Sequence, residues 1–408
     1  MNVNASGRTA LAASALWVLI SVAAGAAPSS HSHVSKDNIA AASNAFGIDL
    51  LGKLVKANPD GNCFISPYSV QEALLLTDNG VSGASKTQIA SVLHLSRAPL
   101  SGINAQAKAQ RASLVVADPK VKIAVANALW ASTSTKFNAT YQETCRYFYN
   151  APARTVALTT PAGAAAINSW VASKTQGHIK TIVPKTGLPR ATSAVLTNAV
   201  YFHGAWTTPF PHNDTYPQDF HLTSTKTKKV PTMSRKGGVD YVKTSSYEAV
   251  ALPYGGGRLR MIVVLPSQNS SVNAYLKSLT AVQWSALSSQ LKPTQMLLFM
   301  PRVHTNYSAS LKPALVDLGM HAPFTASNDF LLMGMPQKSY ISDVLHKTTL
   351  DIDEDGTTAS AATAIVIASL SIHMPPPVVV RIDRPFYCAI QDKQTGLVLF
   401  AGAIRNPG

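Results

Sequence analysis

Between Asp353 and Arg381 the chain carries its charges at the two ends and none in the middle. Asp353-Glu354-Asp355-Gly356 opens the segment, and no Lys, Arg, Asp or Glu follows until Arg381. The interior reads Thr357-Thr358-Ala359-Ser360-Ala361-Ala362-Thr363-Ala364, then Ile365-Val366-Ile367-Ala368-Ser369-Leu370-Ser371-Ile372-His373-Met374, and closes on Pro375-Pro376-Pro377. Small residues beside a glycine suit an exposed loop, whereas Thr, Ile and Val favour strands. Such a segment fits a fold in which one stretch of chain serves as surface loop and as buried strand. The plainer alternative is an ordinary surface loop followed by an edge strand.

The rest of the chain is rich enough in apolar residues to build a large core. Of 408 residues, 46% are hydrophobic and 13% charged, against a usual charged share of about 25%. This balance excludes wholesale disorder. Length alone allows two or three domains or one large mixed one, but no linker divides residues 37–408 and no repeat of solenoid length occurs. One domain is expected there. Ahead of it, Arg8 precedes the apolar run Leu11–Ala27, which ends in the small residues Ala24-Gly25-Ala26. That is the layout of a secretory signal over residues 1–27, cut after Ala26 or Ala27. A membrane anchor is the rival reading, though the run is short for a span of roughly 20 residues. The mature protein is then secreted or periplasmic, with a flexible Ser/His-rich terminus at 28–36. His31 and His33 on that terminus could hold a metal, but two histidines on a loose tail are more often inert, and no metal or cofactor is expected.

Local patterns divide the domain into elements. Ile39, Ala42, Phe46, Leu50 and Leu54 share a helical face, broken at Asn58-Pro59-Asp60-Gly61. A second helix is expected near 162–176, with Ile167, Trp170 and Val171 apolar and Gly177 at its C-terminal end. The apolar runs Ala194–Phe202, Arg260–Leu265, Met296–Met300 and Val378–Ile382 read as buried strands. Cys63, Cys145 and Cys388 have no metal-ligand spacing. The formal charge of +15 favours weak binding to polyanions or membrane surfaces. Its densest stretch, Lys226, Lys228, Lys229, Arg235 and Lys236, reads as a solvated hairpin, and no motif supports specific nucleic-acid recognition.

Catalytic signatures are missing: there is no GxSxG, HExxH, GxGxxG or phosphate loop. Lys185-Thr186-Gly187 and Ser289-Gln290-Leu291-Lys292 echo two motifs of penicillin-recognising enzymes, but in the wrong order.

Six segments, in order, give the chain a family resemblance. They are Asn62-Cys63-Phe64-Ile65-Ser66-Pro67-Tyr68-Ser69; Ile167-Asn168-Ser169-Trp170-Val171 through Thr175-Gln176-Gly177-His178-Ile179; and Leu196-Thr197-Asn198-Ala199-Val200-Tyr201-Phe202-His203-Gly204-Ala205-Trp206 with Pro209-Phe210. The others are His346-Lys347 with Asp353–Thr357, Arg384-Pro385-Phe386, and Gly402 to Asn406-Pro407. Across residues 37–408 the chain resembles the serpins. The resemblance implies an α+β fold of three β-sheets and eight or nine helices with an exposed reactive-centre loop. It also implies not an enzyme but a single-use inhibitor, cut by a serine protease as a substrate and trapping the acyl-enzyme as its cleaved loop enters the central sheet.

Carried over residue by residue, the resemblance makes Gly356, Thr357, Thr358, Ala359, Ser360, Ala361, Ala362 and Thr363 the hinge. Thr357, Ala359, Ala361, Thr363, Ile365 and Ile367 would share one strand face, uncharged and mostly small, as fast insertion requires. The family's spacing from Glu354 puts the reactive bond at Leu370–Ser371, a loop length similar to antichymotrypsin-like serpins. Ile367, Ala368 and Met374 are alternative bait residues. Leucine suits chymotrypsin-like proteases and the alternative bait residues suit elastase-like ones, with subtilisin-like and papain-like cysteine proteases as secondary targets. Trp206, Glu354 and Arg302 resemble the place where the loop first enters, with Arg302 departing from the lysine usual there. Ser66, Ser69, Asn198 and His346 resemble the cluster that holds the central strands closed. Cys63 and Cys388 fall in segments resembling neighbouring central-sheet strands, bridged in one reading and free thiols in the other. A monomer is expected. The competing readings are a non-inhibitory serpin acting as a binding or chaperone module, and a hydrolase.

Overall fold

The amphipathic run after Asp37 forms helix α1 (Ile39–Ala57). Asn38 caps it, accepting from the Ala40 amide at 2.9 Å, and Phe46 and Leu50 are fully buried. The structure is a computed structural model and describes residues 38–96, 98–115, 118–357 and 376–408. Residues 38–408 fall in one compact unit, Lys36–Gly408. The N-terminal apolar run lies outside the described residues, as do Thr358–Thr363 and the Leu370–Ser371 bond.

In chain order there follow β1 (Cys63–Ile65), α2 (Pro67–Asp78), α3 (Gly83–Val92), α4 (Leu100–Val115), β2 (Val121–Ala131), α5 (Ala139–Tyr149), β3 (Ala153–Thr155), α6 (Pro161–Lys174) and β4 (Ala194–Ala205). Next come β5 (Thr215–His221), β6 (Thr227–Lys243), β7 (Tyr247–Pro253), β8 (Leu259–Pro266), α7 (Val272–Ser278), α8 (Ala281–Gln290), β9 (Lys292–Pro301), β10 (Val303–Ser310) and α9 (Lys312–Asp317). The last strands are β11 (Ile341–Ile352), β12 (Gly356–Thr357), β13 (Val378–Arg381), β14 (Phe386–Asp392) and β15 (Val398–Ile404). The helix expected near 162–176 stops at Lys174, because Gln176 and Gly177 take φ of +53° and +82°.

Hydrogen bonding joins the strands into two sheets, ordered β10-β11-β12-β4-β2-β3 and β1-β15-β14-β8-β7-β6-β9-β13 with β5 on β6. The long β6 serves two neighbourhoods: Thr227–Met233 pairs β5, and Asp240–Lys243 pairs β7. The third sheet implied by the resemblance is thus the β5-β6-β9-β13 end, continuous with the second through β6 and β9. In the six-stranded sheet β4 is buried on both faces. Leu196, Val200 and Phe202 face the core, while Val195 and Ala199 pack with Ile167 and Val171 of α6. On β11, beyond the buried Ile341 at its start, alternate residues are buried: Val344, His346, Thr348, Leu350 and Ile352.

Three sequence expectations need correcting. Val378–Ile382 is an edge strand whose Val378 and Val379 are exposed, not a buried run, because β13 pairs β9 alone. Arg235 does not belong to a solvated hairpin: it is buried, donates to the Thr208 carbonyl and lies 5.2 Å over the Phe210 ring. Burial lowers its pKa to about 10. Cys63 and Cys388 lie in the nine-stranded sheet, not the central one, with β15 between their strands. Both are free, as is Cys145, and burial pushes each thiol up to about 12.

Candidate functional site

In the six-stranded sheet a two-residue strand lies between the upper ends of the parallel strands β4 and β11. From Ile341–Ala194 to Thr349–Tyr201 the two strands bond directly to each other. Above that they separate, and Gly356-Thr357 lies between them as β12, antiparallel to both. Gly356 faces Ala205 and Thr357 faces Gly204 on one side, while Thr357 faces Ile352 on the other. Glycine is required here: a Cβ on Gly356 would sit 2.1 Å from the Gly204 carbonyl oxygen and 2.8 Å from Ala205 Cα. The first two residues of the expected hinge are therefore already in the sheet.

The top of this seam is held by polar and charged groups. Arg302 clasps Glu354 through Nε at 3.0 Å to both carboxylate oxygens and Nη2 at 2.7 Å. The Thr215 hydroxyl donates to the same carboxylate. Burial pushes the Glu354 carboxyl up, but the bonds from Arg302 and Thr215 outweigh it and hold it below its ordinary value. Trp206 donates its indole N–H to the Asp353 carbonyl at 2.9 Å and stacks on Tyr254 at 4.5 Å. Tyr254 in turn hydrogen-bonds Thr357 at 2.7 Å. His212 Nε2 stands 3.2 Å from Asp355, and the Asp355 and Gly356 amides both donate to Asp353, each at 3.1 Å. Arg302 and Glu354 therefore bond directly, while Trp206 is tied to the neighbouring Asp353 carbonyl.

Lower down, the seam is locked by neutral groups. Ser66 caps α2, accepting from the Ser69 amide at 3.3 Å, and donates its hydroxyl to the Leu399 carbonyl at 2.7 Å. The Ser66 amide donates to His346 Nε2 at 3.2 Å. Nε2 is therefore the unprotonated nitrogen, and Nδ1–H donates to Asn198 Oδ1. Asn198 Nδ2 reaches both Ser69 Oγ and Asn127 Oδ1 at 2.6 Å. Ser66, Ser69, Asn198 and His346 are fully buried. Burial lowers the His346 pKa to about 3, so the ring is held as a neutral hydrogen-bonding group.

Sequence reasoning missed Asn127, Thr215, Tyr254 and His212. Asn127 carries the clearest signal: an amide between Ala126 and Ala128 in the run Val125–Trp130 must find a buried partner. Thr215 and His212 stand outside apolar runs and show nothing of their partners in the sequence. Among the described residues no group of three or more His, Cys, Asp or Glu is placed to hold a metal ion.

Comparison with known proteins agrees with this architecture. A family profile described as Serpin (serine protease inhibitor) matches residues 41–407. Iris of Ixodes ricinus is 30% identical over 368 residues, covering 88% of this chain and 97% of Iris. Among solved structures, the native state of the thermophilic serpin tengpin superposes with a TM-score of 0.83 at 26% identity, covering 91% of this chain and 95% of that one. Native protease nexin-1 with heparin gives 0.81 at 25% identity, covering 91% and 100%. The chain belongs to the serpin family, a family of protease inhibitors with the α+β fold described above.

Proposed function

We propose that this chain is an exported suicide-substrate inhibitor of chymotrypsin- or elastase-like serine proteases. The observation that carries the proposal is β12, which occupies the upper end of the β4–β11 seam in register with both strands. Extending that pairing downward brings position 360 level with Tyr201 and with Thr349, which are already partners. A strand continuing from Thr357 would therefore interpose between β4 and β11 without either sliding. Ala359 would then lie between Phe202 and Leu350, Ala361 between Val200 and Thr348, and Ile365 between Leu196 and Val344. Thr363 would come between Asn198 and His346, whose mutual bond must break. Its hydroxyl can give and accept one hydrogen bond, the two that the pair loses. The slot ends where β4 begins, at Ala194, level with Ile367 and three residues short of the Leu370–Ser371 bond.

Chemistry belongs to the protease. Its serine Oγ attacks the Leu370 carbonyl, the bond to Ser371 breaks, and the new amine takes a proton from the protease histidine. Leu370 remains esterified, and insertion of residues 358–367 carries the ester away before water attacks. Ordering the strand costs about 1–2 kcal/mol per residue, and each ladder hydrogen bond returns about 1 kcal/mol net. The surplus that distorts a protease must come from the sheet itself as the seam relaxes. Export rests on Arg8 and the run Leu11–Ala27. Weak polyanion binding rests on the net charge, and the nexin relative was solved with heparin.

The test is to incubate the mature chain with limiting chymotrypsin and resolve the products under denaturing conditions. The proposal expects a band at the summed mass, absent in Leu370→Asp. Complete cleavage with fully active protease and no such band would refute inhibition of this protease class. A non-inhibitory serpin would then be separated from an inhibitor of another protease by whether cleavage raises heat stability.

A further inference from the structure

On the flank of the six-stranded sheet, away from the seam, α5, β3 and α6 enclose an open groove of about 550 Å³, within the range of small-molecule sites. Its walls are unlike in chemistry. Ala151, Pro152 and Ala153 supply an apolar side, and Trp170 completes it. The Trp170 ring is held edge-on against Trp130, centroids 5.4 Å apart at 79°, so it is fixed in place before any ligand arrives. The rim carries Arg146, Arg154 and Lys174 against one carboxylate, Glu143. Arg146 already pairs with Glu143. The Arg154 and Lys174 side chains are exposed and make no ion pair, hydrogen bond or ring contact among the described residues.

We propose that this groove binds an amphipathic anion, a flat apolar body bearing a carboxylate, sulfate or phosphate. The apolar body would lie along Trp170 and the alanine-proline wall, and the anionic group between Arg154 and Lys174. An added peptide strand fits less well. β3 ends its sheet, but its Ala153 carbonyl is already taken by Gln142 Nε2 at 3.1 Å, leaving a broken row of partners along a three-residue edge. A simple inorganic anion would use the two cations and leave the apolar wall idle.

The experiment uses the full mature chain and 8-anilinonaphthalene-1-sulfonate as the probe, followed by fluorescence titration. The expected result is saturable one-to-one binding, weakened about tenfold or more in the double variant Arg154→Glu/Lys174→Glu. Both side chains are exposed and unpartnered, so the melting temperature stays unchanged. A control pair, Lys226→Glu/Lys236→Glu on or beside β6, changes the net charge equally and leaves binding intact. Unsaturable binding, equal binding by the groove variant, or equal weakening by the control pair would overturn the site. Displacement by sodium sulfate at the concentration at which the probe itself binds would overturn the apolar half of the assignment.

Discussion

Midway along the β4–β11 seam, Ser66, Ser69, Asn127, Asn198 and His346 hold the strands together without a formal charge. At the upper end Arg302 and His212 hold the turn from β11 into β12 by pairing with Glu354 and Asp355, four ionisable groups. Burial accounts for the contrast. Apart from Asn127, 5% exposed, the middle cluster is wholly inaccessible, where an unpaired charge would cost several kcal/mol. At the top, Arg302 is 46% exposed in its side chain, so water supports the guanidinium that neutralises Glu354. A seam closed in this way should open at its two levels in response to different agents, acid in the middle and salt at the top.

The largest expected effect is at the middle. His346→Ala leaves the Ser66 amide and Asn198 Oδ1 buried without partners, each costing about 1–3 kcal/mol. Denaturant titration at pH 7 should show a loss of about 3 kcal/mol; a loss below about 1 kcal/mol would mean that water or a shifted side chain replaces the ring.

Acid should act on the same residue. Unfolded histidine takes a proton near 6.5, but His346 in the fold resists until about 3. The unfolded state therefore binds more protons between those values, and stability present at neutral pH is lost as pH falls through that window. At pH 4.5 the loss is about 3 kcal/mol, and it should vanish in His346→Ala. A loss of equal size in the variant would assign the acid sensitivity elsewhere.

Glu72 sharpens the comparison because it is an ionisable group on the buried side. It lies one turn after Ser69 on α2, 2% exposed, with Arg111 Nη1 3.9 Å from its Oε1. Burial raises its pKa to about 7, with Arg111 and Tyr68 opposing. Here the native state holds the extra proton between 4.5 and about 7, so stability falls as pH rises through that range. Glu72→Gln should gain about 3 kcal/mol at pH 8 and nothing at pH 4; the same change at both values would rule out titration as the cause.

The smallest effect belongs to the exposed end. Arg302→Ala should cost about 1–2 kcal/mol, less than a buried pair because Arg302 is screened by solvent. It should also speed hydrogen exchange at the Gly356 and Thr357 amides. Added salt should speed the same exchange in the unaltered chain, and no change in either case would mean that the clasp does not hold β12.

Much of this was legible in the sequence. The face of α1, its stop at Asn58–Gly61 and the buried β4 follow from residue spacing and apolarity. Ser66, Ser69, Asn198, His346, Trp206, Arg302 and Glu354 follow from family motifs. β12 was not legible as a strand, because two residues have no periodicity and this pair becomes a strand only between partners roughly 150 residues away on one side. Arg235 reads as a surface charge until Thr208 and Phe210 are placed beside it, and the exposure of Val378 and Val379 depends on β13 having a single neighbour.

The central claim is that the seam accepts residues 358–367 as a new strand. It is tested most directly by melting the chain before and after a single cut within 368–374. A surplus of about 5–15 kcal/mol on insertion should raise the melting temperature by about 6–20 °C. An unchanged or lower melting temperature after the cut would contradict it.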